Sequence, residues 1–341
     1  MTKAEIQLIR SLEDKRAREE TGLFVAEGEK LVGELLASNF RVRKVFFTGD
    51  NFSEKYFPAT PSERSSGAYF GRASGVETER VAAKDMERAS RLKTPTDCLA
   101  LVEVPRRGFV SGGFESVGGA GRLESVRGAA GIGVGLESAG GRFDGAGGGF
   151  DAAELKGRLT LALDGVQNPG NVGTIIRLAD WFGIETILCS DDSADCFAPK
   201  VVQATMGAIA RVAVHYGDLG AMIGTATRTV VSEARDIPVF GTFLEGENIY
   251  ETTLSPGGIV VLGSESRGIS REIEKLVTRK LFIPPYPACG AETGSKAGTN
   301  RAEAGENRSV TNAATGYKTG SESLNVAVAA AIVCSEFRRR I

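Results

Sequence analysis

One histidine, His215, is all that the 341-residue sequence offers for imidazole chemistry. A multi-histidine metal site is therefore excluded, and a Ser-His-Asp triad or a histidine general base would have to use that one residue. It follows Arg211-Val-Ala-Val and reads as a strand-end histidine. Cysteine is sparse as well: Cys98, Cys189, Cys196, Cys289 and Cys334 are odd in number, scattered and free of CxxC spacing. That usage fits reduced thiols in a cytoplasm rather than a disulfide framework or a zinc site. No run of eighteen apolar residues is present, so no membrane-spanning helix is expected. The first twenty residues, MTKAEIQLIRSLEDKRAREE, have the wrong polarity for a signal peptide. A net charge of −2 excludes a uniformly basic nucleic-acid coat, though not a basic patch.

Glycine is the residue in excess, and the excess is local: 16 of the 44 glycines lie between Gly108 and Gly149. The stretch contains GIGVG, but a dinucleotide loop needs a strand before it and a helix after it, and here more glycine stands on both sides. Residues 107–156 thus read as a flexible linker of roughly 35 Å end-to-end span, so the two flanking parts need not be rigidly docked. Residues 1–106 read as a small α/β unit, with a short apolar run at Phe24–Ala26, helical spacing over Gly28–Ser38 and strands at Val42–Thr48 and Cys98–Val104. Its short basic groups are Lys15, Arg16 and Arg18, then Arg41, Arg43 and Lys44, then Arg88, Arg91 and Lys93.

Residues 157–341 are strongly patterned. Leu159–Asp164 is a strand, Val172–Phe182 a helix that Gly183 ends, and Glu185–Ser190 the next strand, which makes a βαβ unit and a parallel sheet. Pro199 opens a helix running to Ala210, followed by strands at Val212–Val214, Thr229–Glu233 and Gly258–Gly263. Ser270–Arg279 reads as a helix, Lys280–Pro284 as a buried segment at an edge, and Leu324–Arg340 as a closing helix. A polar insertion, residues 288–322, holds six glycines and hardly any aliphatic side chains.

Polar residues cluster where strands end, in three segments. The first is Asn168-Pro-Gly-Asn171-Val-Gly-Thr-Ile-Ile-Arg177, where Asn171 suits the N-cap of the helix behind it and Arg177 stands three residues before Asp180 as a surface ion pair. The second is Val260-Val-Leu262-Gly263-Ser-Glu265-Ser-Arg267-Gly-Ile-Ser270, where glycine after an apolar strand lets a ligand approach the backbone and Ser270 suits an N-cap. The third joins Phe282-Ile283-Pro284 to Ser323-Leu324-Asn325-Val326 across the insertion, with Ser323 as a cap for the last helix.

Together and in this order, the three segments closely resemble the motifs of the SpoU/TrmH family of RNA ribose 2′-O-methyltransferases in the SPOUT superfamily, over most of residues 157–341. FVAEGEKLVGELL, in the first hundred residues, resembles the ribosomal-protein-like RNA-binding domain often found ahead of such a catalytic domain. The resemblance implies an α/β chain: a C-terminal parallel-sheet domain with a trefoil knot and a small N-terminal α/β domain. It further implies S-adenosylmethionine as cofactor, tRNA or rRNA as partner, and a homodimer, with neither membrane nor metal involved. By position, Leu262, Gly263, Ile283, Pro284, Ser323 and Leu324 would hold the cofactor, largely through main-chain groups. Asn171, Arg177, Glu265 and Asn325 match the motif positions around the acceptor ribose.

The chemistry at stake is a 2′-hydroxyl, a poor nucleophile until its proton is held or removed. The resemblance casts Arg177 as activator together with an RNA phosphate; an arginine that stays protonated would instead orient ribose and phosphate, with proximity supplying the rate. Two other function classes compete. A non-catalytic RNA-binding protein could retain the fold, and a nucleotide-dependent oxidoreductase could use the βαβ unit with Asp191 or Asp192 on a ribose, although the turn after LTLALD lacks GxGxxG. One departure from the family stands out: 41 positions separate Ile283 from Leu324 where relatives have a short loop.

Overall fold

A computed structural model describes residues 1–49, 75–105, 155–229, 237–285 and 323–339. The glycine-rich linker with its GIGVG, the insertion 288–322 and Cys289 lie outside the described residues. The N-terminal part opens with α1 (Lys3–Ser11), whose start carries a reciprocal capping box between Thr2 and Glu5. Then come α2 (Lys15–Thr21), β1 (Leu23–Glu27), α3 (Glu29–Leu36), β2 (Val42–Phe47), β3 (Glu77–Arg80), α4 (Ala83–Ala89) and β4 (Cys98–Glu103). The four strands form one sheet in the order β1-β4-β2-β3, antiparallel except for the β2–β3 pair.

The second sheet is wholly parallel and has seven strands. They are β5 (Leu159–Asp164), β6 (Thr186–Ser190), β7 (Ala213–Gly217), β8 (Val239–Phe243), β9 (Glu247–Asn248), β10 (Gly258–Gly263) and β11 (Arg279–Phe282), in the order β7-β6-β5-β10-β8-β11-β9. Strand alternation sends Leu161, Leu163, Val260 and Leu262 to one face and Ala162, Ile259 and Val261 to the other. Helices α5 (Pro169–Trp181), α6 (Pro199–Thr205) and α9 (Val326–Arg339) cover the first face, and α7 (Leu219–Thr229) with the single turn α8 (Arg271–Glu274) covers the second. A parallel sheet needs both coverings.

Several expectations are corrected. Helix α5 starts at Pro169, three residues early, because Asn168 is its cap and accepts the Gly170 N–H at 2.9 Å. Proline at the first helical position loses no hydrogen bond and has its φ preset. The helix after Pro199 stops at Thr205, since Met206 turns left-handed at φ 53°, and a short 3-10 turn at Ala208–Ala210 follows. The strand expected at Thr229–Glu233 begins on the last residue of α7, and its remainder lies outside the described residues. Helix α7 itself was legible in the buried spacing Leu219, Met222, Ile223, Ala226, which its glycines and threonines obscure. The helix expected over Ser270–Arg279 closes after one turn, and Arg279 starts β11, an interior strand between β8 and β9.

Helix α9 lies along α5. At its far end Arg338 donates to the carbonyls of Phe182 and Gly183 at 2.7 and 2.9 Å, satisfying acceptors that the end of α5 leaves open.

The linker left docking of the two parts open, and the described residues share a core. One apolar cluster runs from Phe24, Val45 and Val102 of the first sheet to Leu161, Val201 and Ile209 of the second part. At its centre Phe197 faces Phe24 and Phe40, with ring centroids 5.0 and 6.4 Å away. Leu155, inside the expected linker, is already 2 % exposed and packed in the opposite cluster. A long tether therefore does not imply separated bodies when the bodies share apolar surface. We expect Phe197→Ala to lower stability by about 3–5 kcal/mol, with both sheets lost in one urea transition followed by circular dichroism. Two resolved transitions in the unaltered protein would contradict the shared core.

Candidate active site at the carboxyl edge of the parallel sheet

From β5 the chain runs outward through β6 and β7, while β10 and β8 lie on its other side, so the sheet changes direction between β5 and β10. In open α/β sheets, ligands bind at the carboxyl ends beside such a point. Register pairs the last residues of the two strands, Asp164 with Gly263.

Three contacts fold the segment after β10 back on itself. Ser264 and Gly268 exchange main-chain hydrogen bonds of 3.1 and 2.8 Å, Asp164 accepts the Ser270 N–H at 2.6 Å, and Arg267 donates to Asp192 at 3.0 Å. Gly263 belongs to this turn. A Cβ there would lie 2.2 Å from the carbonyl carbon of Gly268, so its bare α-carbon admits the protein's own chain rather than a ligand from that side. Glu265 is left exposed near the tip.

Because Asn168 is the cap, the Asn171 side chain is free of that duty. It sits in the first turn of α5, donates to the Glu265 carboxylate and accepts from Asn325 Nδ2 at 3.1 Å. Asn325 Oδ1 accepts the N–H groups of Ala327 and Val328 at 3.0 and 3.4 Å, so Asn325, not Ser323, caps α9. Three segments 60 or more residues apart thus meet in one polar chain: Glu265, Asn171, Asn325 and the start of α9. It offers a carboxylate acceptor and amide groups to an incoming hydroxyl.

Arg177 is not part of that chain. Six residues beyond Asn171, it stands about 9 Å along the helix and roughly 120° around it. It is exposed and pairs with none of the described residues. The expected Arg177–Asp180 pair is absent because Asp180 takes two hydrogen bonds from Arg211, each 2.8 Å.

The residues read as cofactor-binding all come to the same edge. Leu262 and Gly263 end β10, Ile283 and Pro284 follow β11, and Ser323 and Leu324 lead into α9. Leu262 is buried, Ile283 packs partly on the core, and Leu324 is apolar yet 48 % exposed. Among the described residues, nothing pairs with the main-chain groups of Ile283, Ser323 and Leu324. An apolar rim with open main-chain donors and acceptors suits a nucleoside.

Of the two carboxylates open to the oxidoreductase reading, Asp192 is already engaged by the protein's own groups, while Asp191 beside it is exposed. Asp192 sits below the usual carboxylate range, because the Ser190 hydroxyl donates to it and, against some burial, Arg267 adds a second bond. The same Ser190 hydroxyl accepts the Gly165 N–H, so the pair lies over the turn after β5. Burial pushes the Cys98 and Cys334 thiols up to about 12 and those of Cys189 and Cys196 higher still, which makes none of them a nucleophile. Among the described residues no group of three His, Cys, Asp or Glu is placed to hold a metal ion, and no helix is long and apolar enough to cross a membrane.

The basic groups are thinned as well. Lys44 is enclosed by Glu5, Glu77 and Glu79 at 2.7–2.8 Å, and these carboxylates outweigh burial to raise its pKa. Arg18 is buried against Asp195. Arg41 and Arg43 remain open, with side chains 80 % and 59 % exposed despite contacts to Glu103. Asp164, Asn168 and Arg267, which shape the site, stand in their sequence segments without a role assigned, although an acid ending an apolar strand is a visible signal.

The chain matches the SpoU rRNA Methylase family over residues 158–289 and the MRM3-like substrate binding domain over residues 3–100. It is 31 % identical to a solved structure from Porphyromonas gingivalis assigned to the TrmH family of RNA methyltransferases, covering 100 % of this chain and 99 % of that one with a TM-score of 0.63. The SpoU methyltransferase AviRb from Streptomyces viridochromogenes, solved with AdoMet, shares the fold at 16 % identity, 99 % and 98 % coverage and a TM-score of 0.65. The 23S rRNA (guanosine(2553)-2′-O)-methyltransferase RlmP of Bacillus subtilis is 27 % identical over 182 residues, 53 % of this chain and 58 % of RlmP. The chain spans about half the length of the curated relatives it matches.

Gly263→Ala should displace the turn that carries Glu265 and destabilise the protein by about 1–3 kcal/mol. Thermal melting checks this, and an unchanged melting temperature would contradict the close approach.

Proposed function

The chain belongs to the SpoU/TrmH family of RNA methyltransferases, and from that premise we propose that it transfers a methyl group from S-adenosylmethionine to a ribose 2′-hydroxyl of RNA. The observation that carries this reading is the polar chain Glu265–Asn171–Asn325, which joins all three motif segments at the carboxyl edge of the sheet. The relatives named for 23S rRNA favour ribosomal RNA, with transfer RNA as the alternative.

Leu262, Gly263, Ile283, Pro284, Ser323 and Leu324 would hold the cofactor, the aliphatic side chains against its apolar parts and the open main-chain groups against its polar edge. When bound, S-adenosylmethionine supplies an electrophilic methyl on sulfur. The protein's task is the acceptor oxygen. Glu265, steadied by the Asn171 amide, accepts the hydrogen bond of the ribose 2′-hydroxyl and passes its proton to solvent as the oxygen is methylated, and Asn325 fixes Asn171 in turn. Arg177 grips the acceptor phosphate and ribose with its planar fork, so that proximity supplies much of the rate.

Residues 1–106 serve as the RNA substrate-binding domain, 107–154 as linker, shortened from 107–156 because Leu155 packs in the core, and the rest to 341 as the methyltransferase domain with its insertion 288–322. A trefoil knot in the C-terminal part and a homodimer belong to the same reading. The distance of Arg177 from Asn171 on one helix, and the exposed apolar Leu324 and Val328, support a site that a second copy completes. Buried thiols and an RNA substrate fit a cytoplasmic protein.

Arg177→Ala should abolish methyl transfer while S-adenosylmethionine still binds, read by ribose-methylation mapping and calorimetry; retained turnover would overturn the role of Arg177. No heat from the unaltered protein with the cofactor would favour a non-catalytic RNA-binding protein. Charge reversal at Arg41 and Arg43 should weaken RNA binding and flatten its salt dependence, measured by filter binding at several salt concentrations. Unchanged affinity would remove that patch from the RNA surface.

A further inference from the structure

Among the described residues, the N-terminal part touches the parallel-sheet part through two charged contacts besides the phenylalanine cluster, and both lead toward α5. In the first, Arg18 is 4 % exposed and uses every arm of its guanidinium. Nε and Nη2 donate to Asp195 Oδ2 at 3.0 and 2.5 Å, and Nη1 donates to the carbonyls of Leu12 and Glu13 at 2.7 and 2.9 Å. Asp195 stands in the segment after β6. That segment is tied to the turn after β5 by Ala194 N–H on the Val166 carbonyl at 2.9 Å and by Val166 N–H on Ser193 Oγ at 3.2 Å. Two residues later that turn reaches Asn168, the cap of α5.

The second contact reaches α5 directly. Arg211 donates from Nε and Nη2 to both carboxylate oxygens of Asp180, on the last full turn of α5, each at 2.8 Å. Its remaining nitrogen, Nη1, donates at 2.5 Å to Glu34 on α3 of the N-terminal part. The turn beneath Glu34 is shaped for this approach. A Cβ on Gly207 would lie 2.8 Å from Glu34 Cγ, and Met206 beside it is the only non-glycine residue with positive φ among those described. Such a conformation persists where the surroundings enforce it.

We propose that Arg211 and Glu34 are positioning residues: through them the N-terminal domain sets the orientation of α5, the helix that presents Asn171 at one end and is gripped at Asp180 at the other. The N-terminal domain then acts as part of the catalytic frame and not only as a tether for RNA. All three side chains are between 26 % and 37 % exposed, so the gain lies in orientation more than in stability. The inference rests on the proposed methyl transfer for its kinetic arm but not for its dynamic one.

The test is Glu34→Ala in the full chain, which removes the interdomain arm and leaves Arg211 on Asp180. Amide exchange over Leu178–Gly183 should quicken several-fold, and the emission anisotropy of Trp181, the sole tryptophan and the neighbour of Asp180, should fall. The kcat for methyl transfer should drop on the order of tenfold, short of the roughly hundredfold cost of a 1 Å misplacement. KM for RNA and cofactor affinity by calorimetry should stay unchanged. Arg211→Lys in the unaltered chain, which keeps the charge but not the fork, should likewise quicken the exchange and lower kcat. Wild-type exchange and kcat in Glu34→Ala would overturn the proposal, as would a loss confined to KM or one that tracks a lowered melting temperature. An unaltered protein that methylates no RNA would instead sink the activity, and the exchange measurement would still decide the coupling.

Discussion

The parallel pairing of β5 with β10 is the constraint on which the rest depends. It sets Leu159–Asp164 beside Gly258–Gly263 over their full length, although the two strands are nearly a hundred residues apart. That register fixes where the sheet changes direction, and it stands the Asp164 carboxylate where it can receive the Ser270 N–H. The turn after β10 has no freedom beyond this. Gly263 lets it fold back, Asp164 and Asp192 hold it down, and Glu265 emerges beside the first turn of α5.

From that point the site is an exercise in satisfying amide groups. Asn171 has one donor direction and one acceptor direction engaged, to Glu265 and Asn325, and Asn325 caps the helix that follows. A side chain so engaged is fixed in orientation by its partners, which is what presenting a hydrogen bond to a hydroxyl requires. The network is open to solvent, so it contributes little to folding. Its value lies in geometry.

Much of this was legible in the sequence, and the remainder was not for definite reasons. The strands LTLALD and GIVVLG are read to the residue because unbroken apolar runs bounded by polar ones have no competing period. The three polar segments at strand ends were also visible, and they led to the residues that meet. What misled was capping. Asn168 and Asn171 are equally good caps in isolation, and Pro169 decides between them. Choosing Asn171 hid the fact that its side chain was available. Composition misled again at the linker, because a glycine-rich tether says nothing about the faces it joins. Nothing in the sequence links Phe24 with Phe40 and Phe197, and only tertiary structure brings the three rings together. Lys44 looked like one member of a basic triplet, yet its three carboxylate partners arrive from an N-terminal helix and a neighbouring strand.

Helix α9 is fastened to α5 twice, by Asn325 near its start and by Arg338 near its finish. Two helices of 13 and 14 residues joined at both ends form a ladder whose rails must keep equal length. Adding one residue to either rail would shift everything beyond it by about 1.5 Å and a quarter turn, and one of the two fastenings would then miss. Substitutions at the exposed positions of these helices that make no such contact are therefore open to drift, whereas insertions and deletions are not. Among relatives, the count of residues between the two fastenings should be held more firmly than their identity.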